Sequence, residues 1–370
     1  MKRIYLDYAA ATPLDKKVKK AMEPFWARKF ANAGAIHAEG EEAKKAIENA
    51  RSSAASVLGS KSGEVFFTSG ATESNNLALF GIARHFKKGH IITSEIEHPS
   101  VLEPCMALEK EGFKITYLKV GADGIVDPED VKKSLRPDTI LASIVYANNK
   151  IGTIQPIREI GQIIKDYRLK TKNYGLFFHT DACQASNYLN LKIESLGVDL
   201  LTLNASKIYG PKGVGVLFKK TGVKISPQIL GGGHEQGLRS GTPSTPLIVG
   251  LAEALVLTQK MKNYESKRLS ELRDYFIQQV LKEIPGSKLN GHSKKRLPNN
   301  ANFSFLQKEA ESIIIKLDMM SVASSSGSAC ESQHQKDEKE ERYSVRFSLG
   351  RHTNKKELNK VIEVLKKIVK

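Results

Sequence analysis

The chain has 370 residues, of which 40% are hydrophobic and 7% aromatic, a composition typical of a globular protein large enough for two domains. It contains no run of about eighteen apolar residues and no apolar signal core near its first residue, so we expect a cytoplasmic protein without a membrane-spanning helix. The formal net charge of +17 would permit binding to nucleic acid or to an acidic protein. Because the lysines are scattered along predicted helices, we interpret them as solvated faces and expect no direct nucleic-acid partner.

Short β-branched runs alternate with amphipathic segments through the first two thirds of the chain. The predicted strands span residues 65–67, 91–93, 139–146, 175–179, 200–203 and 213–218. Helical patterns, for example 39–58, 99–111 and 156–167, lie between most of them. This alternation indicates the α/β class with a mainly parallel sheet. Functional groups cluster at strand ends in such a sheet, and four candidate residues follow predicted strands: Thr72, His98, Asn149 and Asp181.

A long helical pattern runs from about residue 246 to residue 284 and stops at Pro285 and Gly286. We place a boundary near residue 255, which predicts a large domain of residues 15–255 and a small α+β domain of residues 1–14 and 256–370. Within the small domain we predict strands or short helices, followed by a helix from residue 353; the strands or short helices are residues 302–305, 312–317 and 343–349. The almost entirely charged or amide run 331–341 is predicted to be disordered.

Lys207 precedes a turn that contains Tyr209 and a Gly-Pro pair, and it lies downstream of Asp181 and Gln184. A catalytic lysine must be held on a rigid loop and partly desolvated to become a nucleophile. A carboxylate beside a pyridine nitrogen keeps that nitrogen protonated, so that the ring can accept electrons. These two segments predict an enzyme that uses pyridoxal 5′-phosphate, with Lys207 as its Schiff-base lysine. The alternatives are an exposed, solvated lysine and a helix N-cap at Asp181.

Residues 68–74, Thr-Ser-Gly-Ala-Thr-Glu-Ser, follow a predicted strand and open a predicted helix. Backbone amides and hydroxyls at such a helix start bind anions. We therefore predict a phosphate site that includes Ala71 and Thr72 and is completed by Ser206 and Thr242. The alternative is a capping box without a ligand, in which Ser69 or Thr72 is the cap.

These motifs, in this order, resemble the NifS/IscS-type cysteine desulfurases of the class V aminotransferase group. The resemblance runs from Tyr5-Leu-Asp7 to residues 346–350, Arg-Phe-Ser-Leu-Gly. It implies the type I fold of pyridoxal-phosphate enzymes and a homodimer. It also implies conversion of L-cysteine to L-alanine, with sulfur transferred through an enzyme persulfide to an acceptor protein for iron–sulfur cluster assembly or tRNA thiolation.

The resemblance also implies roles for individual residues. Lys207 would hold the cofactor, Asn149 and Gln184 would bind its phenolic oxygen, and His98 would lie flat against its ring, although an isolated histidine is more often a satisfied interior residue. Thr242 would reach the phosphate in the neighbouring subunit's site. Two residues are substrate-binding candidates: Arg346, which suits a bidentate grip on a carboxylate or is a surface or interface arginine, and Asn32, in a segment similar to the family's substrate side.

Cys330 ends the small-residue stretch Ser-Ser-Ser-Gly-Ser-Ala-Cys, which is similar to the persulfide loop of the family. A thiolate is a strong nucleophile toward sulfur. We predict that residues 324–329 and 331–341 are mobile and let Cys330 swing between cofactor and acceptor. The alternatives are an inert buried cysteine, as expected for Cys105 and Cys183, and a metal ligand together with His334.

Three features, two single positions and one segment, depart from the family pattern. Ser206 stands where histidine is usual, Lys150 stands where glutamate is usual, and the segment after Cys330 is shorter and more polar. Two competing functions remain open at this stage. One is a selenocysteine lyase or another class V lyase or aminotransferase, which would not need the mobile cysteine. The other is a non-catalytic basic scaffold that binds RNA or an acidic partner.

Overall fold

The computed structural model describes residues 3–305, 308–326 and 343–369. Within these ranges the strands are β1 (Ile4–Tyr5), β2 (Val65–Thr68), β3 (His90–Ser94), β4 (Lys114–Leu118), β5 (Thr139–Ser143), β6 (Phe177–Asp181), β7 (Leu200–Asn204), β8 (Gly215–Lys219), β9 (Ser287–Leu289), β10 (Asn300–Phe305), β11 (Val322–Ala323) and β12 (Ser344–Ser348). The α-helices are α1 (Lys16–Met22), α2 (Pro24–Ala27), α3 (Ala38–Leu58), α4 (Ala71–Phe86), α5 (Pro99–Lys110), α6 (Pro128–Ser134), α7 (Ile157–Thr171), α8 (Ile193–Leu196), α9 (Thr245–Glu283), α10 (Ala310–Met319) and α11 (Lys355–Ile368).

The largest sheet has seven strands in the order β2-β8-β7-β6-β5-β3-β4. β8 is antiparallel to both of its neighbours, and the pairs between β7 and β4 are all parallel. The predicted mainly parallel α/β sheet is therefore confirmed. The edge strand β4 escaped the sequence analysis because it starts at an exposed lysine and is only half-buried, which leaves no continuous apolar run.

A smaller antiparallel sheet, in the order β12-β10-β9, lies near the parallel pair of β1 and β11. Its core contains Phe276, Phe303 and Phe347, whose rings meet edge-on or tilted at centroid distances of 5.3–6.2 Å. This core joins Ile4 and Leu6 to residues between 269 and 365. The division into residues 15–255 and residues 1–14 with 256–370 agrees with that grouping and remains a proposal, since the 39-residue helix α9 runs through the boundary.

Helix boundaries follow local sequence signals. α3 starts after His37, whose ring accepts a hydrogen bond from the Gly40 amide, and ends at Gly59 in a left-handed conformation. α9 ends before Pro285 and Gly286, as predicted. No helix among the described residues is long and apolar enough to cross a membrane.

Candidate active site

A cavity of about 770 Å³ opens where several strands of the large sheet end, and its volume is within the usual range for small-molecule sites, about 300–1,000 Å³. Eight of the residues predicted from the sequence line it: Ala71, Thr72, His98, Asn149, Asp181, Gln184, Lys207 and Arg346. Residues from distant parts of the chain therefore meet at one site, as expected for the ends of parallel strands.

Lys207 ends a single 3-10 turn, Ala205–Lys207, that directly follows β7. Its backbone carbonyl accepts a hydrogen bond of 2.6 Å from the side-chain amide of Asn187. Its ammonium donates to the backbone carbonyl of Ala10, also at 2.6 Å. The predicted rigid loop is thus present, and the amine is half-buried at the cavity wall.

Asp181 is the last residue of β6 and is only 6% exposed. Its Oδ1 accepts a hydrogen bond from the Cys183 amide at 2.9 Å, and its Oδ2 accepts one from Asn75 Nδ2 at 2.8 Å. The carboxylate thus caps the local turn and also lines the cavity. A buried carboxylate held in this way can face a cationic ring nitrogen.

His98 caps the start of α5: its Nδ1 accepts a hydrogen bond of 3.1 Å from the Ser100 amide and lies 2.8 Å from Ser100 Oγ. Burial lowers the pKa of His98, and the positive charges of Lys207 and Lys150 lower it further, against the opposing effect of Asp181. The ring is therefore neutral near pH 7, which suits a group that stacks on an aromatic cofactor or moves a proton.

The segment between β2 and α4 has no side-chain cap, so the capping-box alternative is wrong. Gly70 is the N-cap residue, with φ of 154° and ψ of −179°, a conformation almost restricted to glycine. The first amides of α4, beginning at Ala71, have no partner within the helix and face an anion-binding position. A side chain at Gly215 would meet Gly70 at 2.7 Å, so a glycine there lets β8 pass directly behind this turn.

Residues before α1 form one wall of the cavity. Gln184 Nε2 donates to the carbonyl of Ala9 at 2.9 Å, next to the contact that Lys207 makes with Ala10. Sequence analysis missed this wall because small apolar residues carry no chemical signal.

Arg346, in β12, is 3% exposed. Its Nη2 donates to Asp7 Oδ1 at 2.8 Å and its Nη1 donates to the carbonyl of Asn149 at 2.9 Å. Its Nε is buried without a hydrogen-bond partner. An unsatisfied buried donor costs about 1–3 kcal/mol, and Arg346 is one of the residues that line the cavity. This donor set suits an anionic group such as a carboxylate.

Three predicted site residues do not line the cavity within the described part of the chain. Ser206 is half-buried, and its Oγ lies 3.1 Å from Asn204 Oδ1. Thr242 is exposed. Asn32 is also exposed, and its Oδ1 accepts the Gly34 amide at 2.9 Å. Their predicted roles remain proposals.

Two of the three cysteines of the chain are described, and both are buried and free. Burial raises the pKa of the Cys105 thiol, and burial together with the Asp181 charge raises that of Cys183. Both thiols therefore stay protonated and unreactive near pH 7, as expected from the sequence. Cys330 and most of its predicted loop lie outside the described residues; the preceding Ser325 exchanges two backbone hydrogen bonds with Arg346, at 3.2 and 2.7 Å.

The residues present fit pyridoxal 5′-phosphate. Lys207 supplies an amine, Asp181 a buried carboxylate, His98 a neutral flat ring and the start of α4 a set of unpaired amides. All four line one cavity.

The chain belongs to the class-V aminotransferase family, whose profile, "Aminotransferase class-V", matches residues 4–361. It is 48% identical to "Cysteine desulfurase IscS" of Dictyoglomus turgidum, over 100% of this chain and 95% of that protein. It is 42% identical to "Cysteine desulfurase IscS 1" of Archaeoglobus fulgidus, over 99% of this chain and 96% of that protein.

Solved structures show the same fold. A protein described as NifS-like superposes with a TM-score of 0.91 at 33% identity, covering 99% of both chains. "SspA in complex with cysteine" superposes with a TM-score of 0.79 at 35% identity, covering 94% of this chain and 98% of that one. The resemblance and fold predicted from the motifs are thereby confirmed. Enzymes of this family depend on pyridoxal phosphate.

Several residues at the site were not predicted. Asn75 binds Asp181, Ser100 binds His98, and Asn204 ends β7 at the cavity. Two signals could have identified them. Asn75 lies one helical turn after Ala71, and Asn204 is the last residue of a strand.

Glu97, next to His98, is a buried acid in the segment between β3 and α5. Its Oε1 accepts hydrogen bonds from Ser94 Oγ at 2.5 Å and from the Val145 amide at 2.8 Å, and its Oε2 is buried without a partner. Burial raises the pKa of Glu97 from 4.5 to about 8, and the charge of Asp181 adds to this rise. Glu97 is therefore mostly protonated at pH 7.

We expect this proton to make stability depend on pH. Between about pH 4.5 and pH 8 the native state holds the Glu97 proton while the unfolded chain releases it, so the free energy of unfolding falls as pH rises. Glu97→Gln has the shape of the protonated acid but cannot ionise. We therefore expect the free energy of unfolding of Glu97→Gln, minus that of wild type, to increase by about 3 kcal/mol from pH 5 to pH 8. Urea denaturation at the two pH values measures this difference.

Glu64→Gln is the matched control. Although burial opposes it, hydrogen bonds from Lys61 and Thr221 hold the pKa of Glu64 below its usual value, so this group is ionised in both states from pH 5 to pH 8. The difference in free energy of unfolding between Glu64→Gln and wild type should therefore be constant from pH 5 to pH 8. A constant difference for Glu97→Gln as well would contradict a buried neutral Glu97.

Proposed function

We propose that the protein is a pyridoxal-phosphate-dependent cysteine desulfurase that converts L-cysteine to L-alanine and carries the sulfur on Cys330. The observation that carries this proposal is the meeting of Lys207, Asp181 and His98 in one cavity of a class-V aminotransferase chain. Relatives named cysteine desulfurase, 42–48% identical over almost the whole chain, support the choice of reaction.

When bound, the cofactor supplies an electron sink for the substrate α-carbon. Lys207 removes the α-proton, since its amine is held at the cavity wall. Asp181 keeps the ring nitrogen cationic, and two hydrogen bonds fix its orientation. His98 packs against the ring as a neutral imidazole, and Asn149 and Gln184 donate to the phenolic oxygen. The amides at Ala71 and Thr72, with Ser206, bind the phosphate.

Arg346 binds the substrate carboxylate. Its unpartnered Nε and its position at the cavity support this role. The ion pair with Asp7 at 2.8 Å orients the guanidinium, together with the hydrogen bond from Nη1 to the carbonyl of Asn149. Asn32 is a second candidate on the substrate side, by resemblance alone.

Cys330 accepts the sulfur. Its thiolate attacks the substrate sulfur, the Cβ–S bond breaks, and the bonding electrons with a proton remain on Cβ, so L-cysteine and the thiol become L-alanine and a persulfide. Cys330 is five positions after Ser325, which pairs with Arg346. An extended chain of that length spans at most about 18 Å, which keeps the thiol within reach of the cavity.

We further propose a cytoplasmic homodimer. Thr242 is exposed in the single chain, which leaves it available to the phosphate of a neighbouring subunit. A sulfur-acceptor protein then takes the persulfide sulfur to iron–sulfur cluster assembly, the process named by the relatives' IscS designation, or to tRNA thiolation.

Product analysis tests the proposed reaction. The purified protein, loaded with pyridoxal 5′-phosphate, should form alanine from L-cysteine without any added keto acid. Selenocysteine turnover alone would indicate the selenocysteine lyase, and dependence on a keto acid would indicate an aminotransferase. No turnover and no visible absorption after loading would indicate the non-catalytic scaffold.

A further inference from the structure

Asn75 is a fully buried amide in α4, and the roles given above use only its contact with Asp181. Its Nδ2 donates to two different groups: Asp181 Oδ2 and Ser100 Oγ, each at 2.8 Å. Ser100 Oγ in turn lies 2.8 Å from His98 Nδ1. One side chain therefore connects the acid and the histidine that face the cavity.

The directions of these hydrogen bonds follow from the groups involved. A carboxylate oxygen only accepts, so the Asn75 atom that contacts Asp181 is the amide nitrogen. Its second hydrogen points to Ser100 Oγ, which leaves the Ser100 hydroxyl to donate to His98 Nδ1. The Ser100 backbone amide also donates to Nδ1, at 3.1 Å. Nδ1 is therefore an acceptor, and the imidazole proton is on Nε2.

We propose that Asn75 is a positioning residue that fixes the Asp181 carboxylate and, through Ser100, holds His98 in the neutral form protonated at Nε2. This proposal deepens the proposed function. A single amide supplies both donors, so the acid that faces the ring nitrogen and the histidine that faces the ring keep one relative orientation. Asn75 Oδ1 is buried without a partner, so within the side chain only the NH₂ group makes hydrogen bonds.

The test is ¹⁵N NMR of labelled histidine in the cofactor-free protein, with His98 assigned from a His98→Gln variant. In wild type, His98 should show a protonated Nε2 and a non-protonated Nδ1 at pH 7. Asn75→Leu has nearly the same shape and no donors. This variant should reduce the ratio of the Nε2-protonated to the Nδ1-protonated tautomer of His98 by roughly fivefold, the effect of one lost hydrogen bond. It should also weaken binding of pyridoxal 5′-phosphate by roughly tenfold.

Asn75→Asp covers the case in which the leucine variant does not fold. Its one acidic proton can serve Asp181 or Ser100 but not both, and the charged Asp181 carboxylate is the stronger acceptor. Ser100 therefore loses its donor, and the tautomer ratio of His98 should still fall. Thr139→Val is the control for a lost buried hydrogen bond. It removes the 2.9 Å contact with His90 Nδ1, so it should change the His90 signals and leave those of His98 and cofactor affinity unchanged.

Unchanged His98 signals in both Asn75 variants would overturn the proposal, as would equal effects of Thr139→Val on His98. The NMR readout does not require turnover. Failure of wild type to form alanine would therefore overturn the proposed function alone, while the His98 spectra would still decide the role of Asn75.

Discussion

Lys207→Ala should abolish the turnover of L-cysteine while the protein stays folded. The substitution removes the amine that holds the cofactor and moves the α-proton, and loss of a general base costs roughly 10²–10⁴-fold in rate. Lys207 is half-buried at the cavity, so little core packing is lost. The measurement is alanine formation by protein incubated with excess cofactor, with circular dichroism to confirm folding.

Lys212→Ala is the matched control, because Lys212 is an exposed lysine five residues later on the same loop. It should retain the wild-type rate. A Lys207→Ala enzyme that releases alanine at a rate close to wild type would exclude Lys207 as the catalytic amine.

Cys330→Ser should still bind L-cysteine but form no enzyme persulfide. Lys207, Asp181 and Arg346 are unchanged in this variant, so addition of L-cysteine should still alter the absorption of the bound cofactor. A hydroxyl is a poor nucleophile toward sulfur, and we expect persulfide labelling to fall to the background level. Binding and sulfur transfer would thus be separated.

Cys105→Ala serves as the cysteine control. This thiol is buried, and burial raises its pKa, so its removal should leave persulfide labelling intact. If the Cys330→Ser variant still labelled as a persulfide, another cysteine would have to accept the sulfur, and the assignment to Cys330 would be wrong.

The sequence predicted that Asp181, Lys207 and His98 line one cavity because each lies at or after the end of a strand in a local motif. Asp181 ends β6, Lys207 follows β7 and His98 follows β3. The parallel order of these strands then brings the three side chains to one edge of the sheet. Local sequence was sufficient because the chemistry of these residues and their strand positions can both be read from a few neighbours.

Contacts between distant segments could not be predicted. The Arg346 contact with Asp7 joins residues 339 positions apart, and the contact of Lys207 with Ala10 spans 197 positions. Neither Asp7 nor Ala10 has a local pattern that indicates an active-site wall. The structure also excludes the capping box that the sequence left open as an alternative for α4, because the N-cap residue is Gly70, which has no side chain to accept a hydrogen bond.

The most direct measurement of the proposed function is a single turnover of the cofactor-loaded enzyme with L-cysteine in the absence of an acceptor thiol. Alanine is quantified, and the peptide that contains Cys330 is analysed by mass spectrometry. We expect equal amounts of alanine and of Cys330 peptide that has gained one sulfur atom. Alanine formed together with free sulfide, while the Cys330 peptide remains unmodified, would contradict transfer of the sulfur through this cysteine.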